Sequence, residues 1–269
     1  MTSIGKKLRL GRIFQRDGRT LIVAMDHARF TGPIPGLEDP KKTIKSVIEG
    51  GADAIMTNFG VIKQFHDLVV GQLATILRID SGATIYSPED FVRSTKCGLI
   101  YNVEEAVKLG VDGVIVYALL GASYEFEIIK NLGKVVEKCE KWGMPLLVEA
   151  LPVYGEKIDD PYNASYVSTA ARIAQEYGAD FIKTNYTGSS ESFKEVTETC
   201  PVPVLIAGGE EMENPKDVLE TVKGAINAGG KGVCFGRNIW MYEDPATMTR
   251  AISKVIHEGA SVEEALEEL

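Results

Sequence analysis

The sequence predicts an α/β fold, a single (β/α)8 TIM barrel, from two observations. Short apolar segments alternate with amphipathic stretches about eight times, in units of about 30 residues. The apolar segments are continuous, which is typical of parallel strands that are covered on both faces. An open doubly wound sheet could hold the same elements, but no GxGxxG motif follows the first strand, and this weakens a dinucleotide-binding interpretation.

Eight apolar segments are expected to form the strands of one domain over residues 1–269, after a short basic N-terminal lead-in. They cover residues 20–26, 53–58, 73–79, 112–120, 145–151, 180–186, 202–208 and 232–236. Helices are predicted between them, for example at 124–143, 165–178 and 215–230, and several run into a Gly-Ala/Val-Asp segment at a strand entrance. The last residues, SVEEALEEL, read as a short capped helix that packs on the barrel or on a partner subunit.

Composition indicates a soluble cytoplasmic protein. The net charge of -9 argues against a general nucleic-acid surface, which needs clustered Lys and Arg. No apolar run is long enough to span a membrane, and the N-terminus is too polar for a signal peptide. The cysteines and histidines form no metal-binding pattern, so we expect reduced thiols and no metal or other cofactor.

A lysine, Lys183, lies within the sixth predicted strand, in the segment DFIKTNYTG. Burial disfavours the ammonium form and lowers the pKa of a lysine, and a neutral amine forms a Schiff base with a ketone or aldehyde. Two other interpretations are open, namely a lysine that is paired with an inward carboxylate such as Asp26 or Glu149, and a lysine that binds phosphate.

Further polar residues follow the predicted strands, where the active sites of barrels lie. Asp26 and His27 directly follow the first strand, either as catalytic groups at the barrel mouth or as a turn cap and a packing residue. Glycines and an arginine follow the seventh and eighth strands and favour a phosphate site, with tight turns and an ion pair as the alternative. These residues are Gly208, Gly209, Gly236 and Arg237.

The segments MDHARFTGP, FIKTNYTG, IAGGEE and GVCFGRNIW together resemble the archaeal-type class I fructose-bisphosphate aldolases. Their wider group includes aminodideoxyheptulosonate synthases and the autoinducer-2-phosphate thiolase. The resemblance implies a (β/α)8 barrel that assembles into decamers or other homo-oligomers, without a metal. It matches Lys183 to the Schiff-base lysine, and Asp26 and His27 to the acidic and histidine positions of the first strand. The phosphate-binding positions match Gly208, Gly209, Gly236 and Arg237.

The chain departs from this family after the fifth strand. The aldolases carry a Tyr-Pro-Arg-Gly segment whose tyrosine is the general acid/base, whereas this chain reads EALPVYGEK, with Leu151 in place of that tyrosine. Either Tyr154 or Glu149 could take over, and Glu149 faces the same way as Leu151, one step deeper along the strand. The autoinducer-2-phosphate thiolase lacks the tyrosine too, so the proton transfer could also be dispensable.

The resemblance thus implies a class I, metal-independent aldolase that acts on a phosphorylated ketose similar to fructose 1,6-bisphosphate. Lys183 attacks the carbonyl, Asp26 assists proton transfer, and His27 orients the substrate or shuttles a proton. The alternatives are a transaldolase or thiolase-type relative and a catalytically reduced barrel that binds a phosphorylated ligand. We expect a small phosphorylated sugar or keto substrate, and neither nucleic acid nor membrane as a partner.

Overall fold

A computed structural model of the protein describes residues 3–87 and 97–269, and its centre is a closed barrel of eight parallel strands. Each strand pairs with its two sequence neighbours, and the first strand pairs with the last. The strands are β1 Thr20–Ala24, β2 Ala54–Thr57, β3 Ala74–Arg78, β4 Gly113–Leu120, β5 Leu146–Pro152, β6 Phe181–Thr184, β7 Val204–Ala207 and β8 Gly232–Phe235. The predicted (β/α)8 fold is confirmed, and every strand falls on its predicted segment.

Helices cover the outside of the barrel. They are α1 Ile4–Ile13, α2 Ala28–Thr31, α3 Pro40–Glu49, α4 Phe59–Val69, α5 Val103–Leu109, α6 Glu125–Trp142, α7 Ala164–Glu176, α8 Ser190–Thr199, α9 Pro215–Asn227, α10 Arg237–Trp240, α11 Pro245–Ser253 and α12 Val262–Leu266. A π-helix, Lys254–Glu258, continues α11, and the two-residue strands Asp80–Ser81 and Gly98–Leu99 pair beside β3. Within the described ranges, no helix is both long enough and apolar enough to cross a membrane.

The predicted C-terminal helix is present as α12. Ser261 and Glu264 form a capping box at its N-terminus, in which each side chain accepts a hydrogen bond from the backbone of the other residue. Ala265 is fully buried, and the helix contacts α9 and the π-helix. The helix therefore packs on the outer layer of its own barrel.

Alternate residues of each strand point into the barrel. The lower interior is apolar and includes Ile22, Met56, Leu147 and Phe181, all fully buried. Helix α1 lies against this end and contributes Ile13 to the same cluster. The N-terminal end of the barrel is thus filled by side chains, which leaves the C-terminal end as the accessible mouth.

The repeated aspartate before a strand has a structural role at this closed end. Asp53, Asp112 and Asp180 each precede a strand and accept a backbone hydrogen bond from the preceding strand, at 2.6, 3.0 and 2.8 Å. Each carboxylate also has a cationic partner, and these partners are His257, Arg12 and Lys6, respectively. The Gly-Ala/Val-Asp segments therefore join neighbouring strands and lie far from the mouth.

Candidate active site

Inward-facing polar side chains gather where the strands end at the barrel mouth. Asp26 follows β1, and the other members lie on successive strands from β3 to β6. They are Arg78, Tyr117, Glu149 and Lys183. All except the half-buried Tyr117 are at least nine-tenths buried. The barrel thus places charged groups at the same end, as expected for an active site.

Lys183 is paired with Glu149. The two residues lie opposite each other on β5 and β6, with Lys183 Nζ 2.7 Å from Glu149 Oε1. Burial acts to lower the pKa of Lys183, but the carboxylate of Glu149 outweighs it and the pKa is raised. Of the interpretations that the sequence left open, the structure shows the lysine paired with an inward carboxylate, Glu149, because the strand register places this anion beside the ammonium group.

Arg78 connects the carboxylates of the site. Its guanidinium contacts Glu149 and lies 3.0 Å from Asp26 Oδ2 and 3.3 Å from Asp80 Oδ1. It also lies 4.1 Å from the centre of the Tyr117 ring, over its face. A planar group with several donors suits this bridging position better than the single ammonium group of a lysine. Arg78 therefore holds the carboxylates in fixed positions around the mouth.

Asp26 is held as a carboxylate. Its side chain contacts Arg29 as well as Arg78. Burial acts to raise the pKa of Asp26, but the two guanidinium charges outweigh it and the pKa is lowered. The side chain caps no helix, because α2 has His27 as its N-cap residue and no side-chain cap hydrogen bond. Asp26 consequently contributes fixed negative charge to the site.

His27 lies at the rim, with about 29% of its side chain exposed. Its ring centre is 5.6 Å from that of Trp240 and 5.7 Å from that of Phe30. Burial lowers the pKa of His27. The negative charge of Asp26 acts to raise this pKa, but the positive charge of Lys183 opposes Asp26, and the net shift is downward. Its buried Nδ1 has no hydrogen-bond partner among the described residues. A neutral imidazole with an unused polar atom thus stands above Asp26.

The predicted anion site lies at the ends of β7 and β8. Arg237 donates from Nη2 to the Gly209 carbonyl at 2.7 Å, and its buried Nε has no hydrogen-bond partner among the described residues. No described carboxylate forms an ion pair with Arg237. The predicted alternative of an arginine tied to an acid is therefore not observed within the described ranges.

The three glycines of this site have different reasons for lacking a side chain. A Cβ at Gly236 would lie 2.9 Å from the carbonyl oxygen of Ala24, which accepts a hydrogen bond from the Trp240 indole. A Cβ at Gly208 would lie 3.2 Å from the Phe235 ring. Only Gly209 has a left-handed backbone, with φ of +67° and open space at its Cβ position. Packing alone therefore explains two of the three.

Tyr154 and Leu151 lie away from the charged network. Tyr154 is 49% exposed, in the loop after β5, and it lines a cavity of about 250 Å3 together with Leu151. Tyr117 and Asn185 reach the same cavity. Of the two candidates for the proton-transfer role, the structure thus brings Glu149 to Lys183 and leaves Tyr154 in the outer loop.

A family model described as DeoC/LacD family aldolase matches residues 20–242. The chain belongs to the DeoC/LacD aldolase family. It is 36% identical over 266 residues to the 2-amino-3,7-dideoxy-D-threo-hept-6-ulosonate synthase of Halobacterium salinarum, covering 99% of this chain and 97% of that protein. The 3-hydroxy-5-phosphonooxypentane-2,4-dione thiolase of Klebsiella pneumoniae is 35% identical over 262 residues, with 97% of this chain and 84% of that protein covered.

A solved structure that describes the mechanism of the Schiff base forming fructose-1,6-bisphosphate aldolase has the same fold, with a TM-score of 0.85. It is 30% identical to this chain and covers 94% of it and 100% of its own length. These findings confirm the family resemblance that the sequence motifs carry. The protein is an enzyme of the aldolase class, with relatives that work through a Schiff base.

The sequence pattern does not single out four residues of this aldolase site. They are Arg29, Arg78, Asp80 and Tyr117. A signal existed for Arg78 and Asp80, since both stand at the end of the third apolar segment, where catalytic groups of a barrel are expected. Tyr117 is inward by the same alternation, whereas the contact of Arg29 depends on the turn of α2 and has no sequence signal.

The described residues of the aldolase offer no set of metal ligands. Within residues 3–87 and 97–269, no group of three or more His, Cys, Asp or Glu side chains is arranged to hold an ion. The prediction of a metal-independent enzyme is not tested by this observation and stays a prediction.

Proposed function

We propose that this aldolase cleaves or forms a carbon–carbon bond in a phosphorylated keto compound of the fructose 1,6-bisphosphate type, through a Schiff base on Lys183. The observation that supports it best is the Lys183–Glu149 pair, in which a potential nucleophile and a potential base lie 2.7 Å apart at the barrel mouth. Among the relatives, the Schiff base forming aldolase carries that chemistry in its title.

Imine formation begins with removal of the ammonium proton. Glu149 accepts the proton of Lys183, and the neutral amine then forms a bond to the carbonyl carbon while the carbonyl electrons move to oxygen. That oxygen gains the proton of the attacking nitrogen, relayed through Glu149. The protonated Glu149 then supplies a second proton, the oxygen leaves as water, and an iminium ion remains. The iminium carries the same charge as the starting ammonium group, so Glu149 is again a carboxylate beside a cation once the water has left.

Cleavage uses the same carboxylate a second time. Glu149 takes the proton of the substrate hydroxyl, the adjacent carbon–carbon bond breaks, and its electron pair moves into the iminium to give an enamine. The aldehyde departs, Glu149 returns its proton to the enamine carbon, and water hydrolyses the resulting iminium. Atoms and charge balance over this cycle, and no residue other than Glu149 has to carry the proton.

The rest of the network supports these steps in our proposal. Arg78 contacts Glu149 and keeps it in place. Burial acts to raise the pKa of Glu149, but the charges of Lys183 and Arg78 outweigh burial and the pKa is lowered, which keeps Glu149 ionised. Asp26 supplies fixed negative charge beside the developing iminium, and His27 offers an uncharged imidazole to a substrate hydroxyl. Positioned acid/base groups typically contribute about 10²–10⁴-fold in rate.

The phosphate is proposed to bind at Arg237 and the backbone of Gly208, Gly209 and Gly236. Arg237 has a guanidinium Nε with no hydrogen-bond partner among the described residues, and such a group suits phosphate oxygens. The acidic protein would then bind its anionic substrate through a local positive group. A cytoplasmic location and a homo-oligomeric assembly also remain proposals, supported by composition and by the family resemblance.

A transfer reaction is the second candidate, because Leu151 stands where the family aldolases have their tyrosine. Two relatives of this chain are a synthase and a thiolase by name. Dependence of turnover on an added acceptor, such as coenzyme A or an aldehyde, would favour this candidate over a simple lyase.

Borohydride reduction in the presence of dihydroxyacetone phosphate tests the proposal. The reduced adduct is expected on Lys183 in the wild type and is expected to be absent from Lys183→Met, which keeps the length of the side chain without its amine. Peptide mass spectrometry identifies the modified residue. An unmodified Lys183, or full activity of Lys183→Met, would reject the proposed function.

A further inference from the structure

A largely apolar compartment lies next to the mouth, and Tyr117 of the charged cluster belongs to its wall. It encloses about 250 Å3 and is lined by Leu119, Leu151, Val153, Tyr154 and Tyr162, among others. We propose that it binds the aldehyde part of the substrate, and that this part is an unphosphorylated alkyl or aryl group. The substrate then shares the phosphorylated keto part of fructose 1,6-bisphosphate and differs from it in the aldehyde part. The inference rests on the proposed function and adds the class of the second substrate half.

The order of the strands places the β4 and β5 wall of this compartment on the other side of Lys183 from the anion site, while Tyr162 and Asn185 line both cavities. Lys183 lies on β6, between β5 and β7. Arg237 and Gly209 follow β8 and β7, on one side of Lys183, whereas Leu151 and Leu119 belong to β5 and β4 on the other side. A keto substrate with its carbonyl at Lys183 and its phosphate at Arg237 would therefore direct its remaining carbon chain into the apolar compartment.

Nothing in the described lining would neutralise a second phosphate. None of its described residues is charged, and the amide of Asn185 already donates to the Pro161 carbonyl at 3.1 Å. The guanidiniums of Arg29 and Arg78 contact Tyr117, but both are paired with carboxylates. Among the described lining residues, a doubly charged group would therefore find no ionic partner, whereas an alkyl or aryl group would contact apolar side chains.

The size and chemistry of the compartment fit an apolar group. A dry apolar cavity of about 150 Å3 is enough to hold a benzene ring. The volume of about 250 Å3 therefore accepts a phenyl group or an unbranched chain of about five carbon atoms. Leu151 and Leu119 lie opposite each other on β5 and β4, so both side chains belong to one wall.

The test is an aldehyde series in the condensation direction, with dihydroxyacetone phosphate as the donor. Unbranched aldehydes from ethanal to pentanal should rise in kcat/KM by about fourfold per methylene group. The kcat/KM of pentanal and of benzaldehyde should each exceed that of glyceraldehyde 3-phosphate by at least about tenfold, because an apolar pocket disfavours a charged group. A flat series, or a preference for glyceraldehyde 3-phosphate, would overturn the inference.

Two variants at one position locate the effect. Leu151→Asn puts a polar side chain of similar size into the wall and should flatten the series, whereas Leu151→Met keeps the wall apolar and should retain its slope. A series unchanged in Leu151→Asn would mean that the chain binds elsewhere and would contradict the inference.

Two further readouts separate this inference from the proposed function. Borohydride trapping of Lys183 with dihydroxyacetone phosphate alone involves no aldehyde, so trapping together with a flat series rejects only the inference. Calorimetric titration with benzyl alcohol involves no Schiff base. Binding of benzyl alcohol that is retained in Lys183→Met and weakened at least about tenfold in Leu151→Asn supports an apolar binding site in the compartment, even if Lys183 is not trapped. Absence of binding to the wild type counts against this site.

Discussion

Replacing Glu149 by glutamine should change the protonation of Lys183. The substitution keeps the shape of the side chain and removes its charge from a position 2.7 Å from Lys183 Nζ. At an effective dielectric constant of about 20, that attraction is on the order of 6 kcal/mol, and burial of the ammonium group opposes it. Even about 2 kcal/mol of net loss would raise the neutral fraction of the amine about 30-fold at a given pH.

The pH dependence of borohydride trapping measures this change. In Glu149→Gln, the midpoint for trapping of Lys183 by dihydroxyacetone phosphate should move to lower pH. Turnover should nevertheless fall by about 10²–10⁴-fold, because the base that relays the protons is absent. A lysine that loses its proton at lower pH, in a slower enzyme, is the signature of a carboxylate that both stabilises the ammonium group and carries its proton.

Glu104→Gln is the matched control. Glu104 forms a partly exposed ion pair with Lys138 at 2.8 Å, on the outer helices, so its substitution should leave the trapping profile unchanged. Removal of one partner of a buried ion pair lowers the free energy of unfolding by about 3–5 kcal/mol. Thermal melts of both variants are therefore needed to establish that the barrel is still folded. An unmoved or higher midpoint in folded Glu149→Gln would refute the role given to Glu149.

Three other predictions concern the anion site, the outer loop and stability. Arg237→Met should raise KM for phosphorylated substrates by about 10–100-fold and leave unphosphorylated analogues unaffected in steady-state assays; an equal effect on both would contradict a phosphate role. Tyr154→Phe should change kcat by less than about threefold, and a loss of about 10²-fold would identify Tyr154 as the acid/base. The pKa of His257 is raised: burial acts to lower it, but hydrogen bonds to Asp53 and Asp17 outweigh this effect. Its stabilisation is therefore present below about pH 6.5 and is lost as the pH rises through the folded value, so urea melts of the wild type and His257→Gln should differ more at about pH 5.5 than at about pH 9.

The strands were predictable because every barrel strand is buried on both faces and reads as a continuous apolar segment. The inward position of Glu149 followed from strand alternation, and it is confirmed by its pairing with Lys183. The sequence left open whether Lys183 pairs with Glu149, because this pairing depends on the register between β5 and β6. One residue of shift would turn Glu149 away and leave the ammonium group without its anion.

The network around Arg78 shows a second limit of sequence patterns. A charged residue at the end of an apolar segment marks a mouth position, but which carboxylates it reaches depends on distances across the barrel. Arg29 illustrates the point, since its contact with Asp26 arises from the single turn of α2. Tyr154 is an example from a loop: its position in the cavity wall depends on the path of the chain after β5, which the sequence pattern does not predict.

Nitrogen NMR of the Lys183 side chain, in protein labelled with 15N-lysine and assigned with Lys183→Met, distinguishes the ammonium, amine and iminium forms of the proposed nucleophile. We expect an ammonium signal for Lys183 in the free enzyme near neutral pH, and its replacement by an iminium signal when dihydroxyacetone phosphate is added. A neutral-amine signal in the free enzyme, or an ammonium signal that persists in the presence of the ketone, would contradict this expectation.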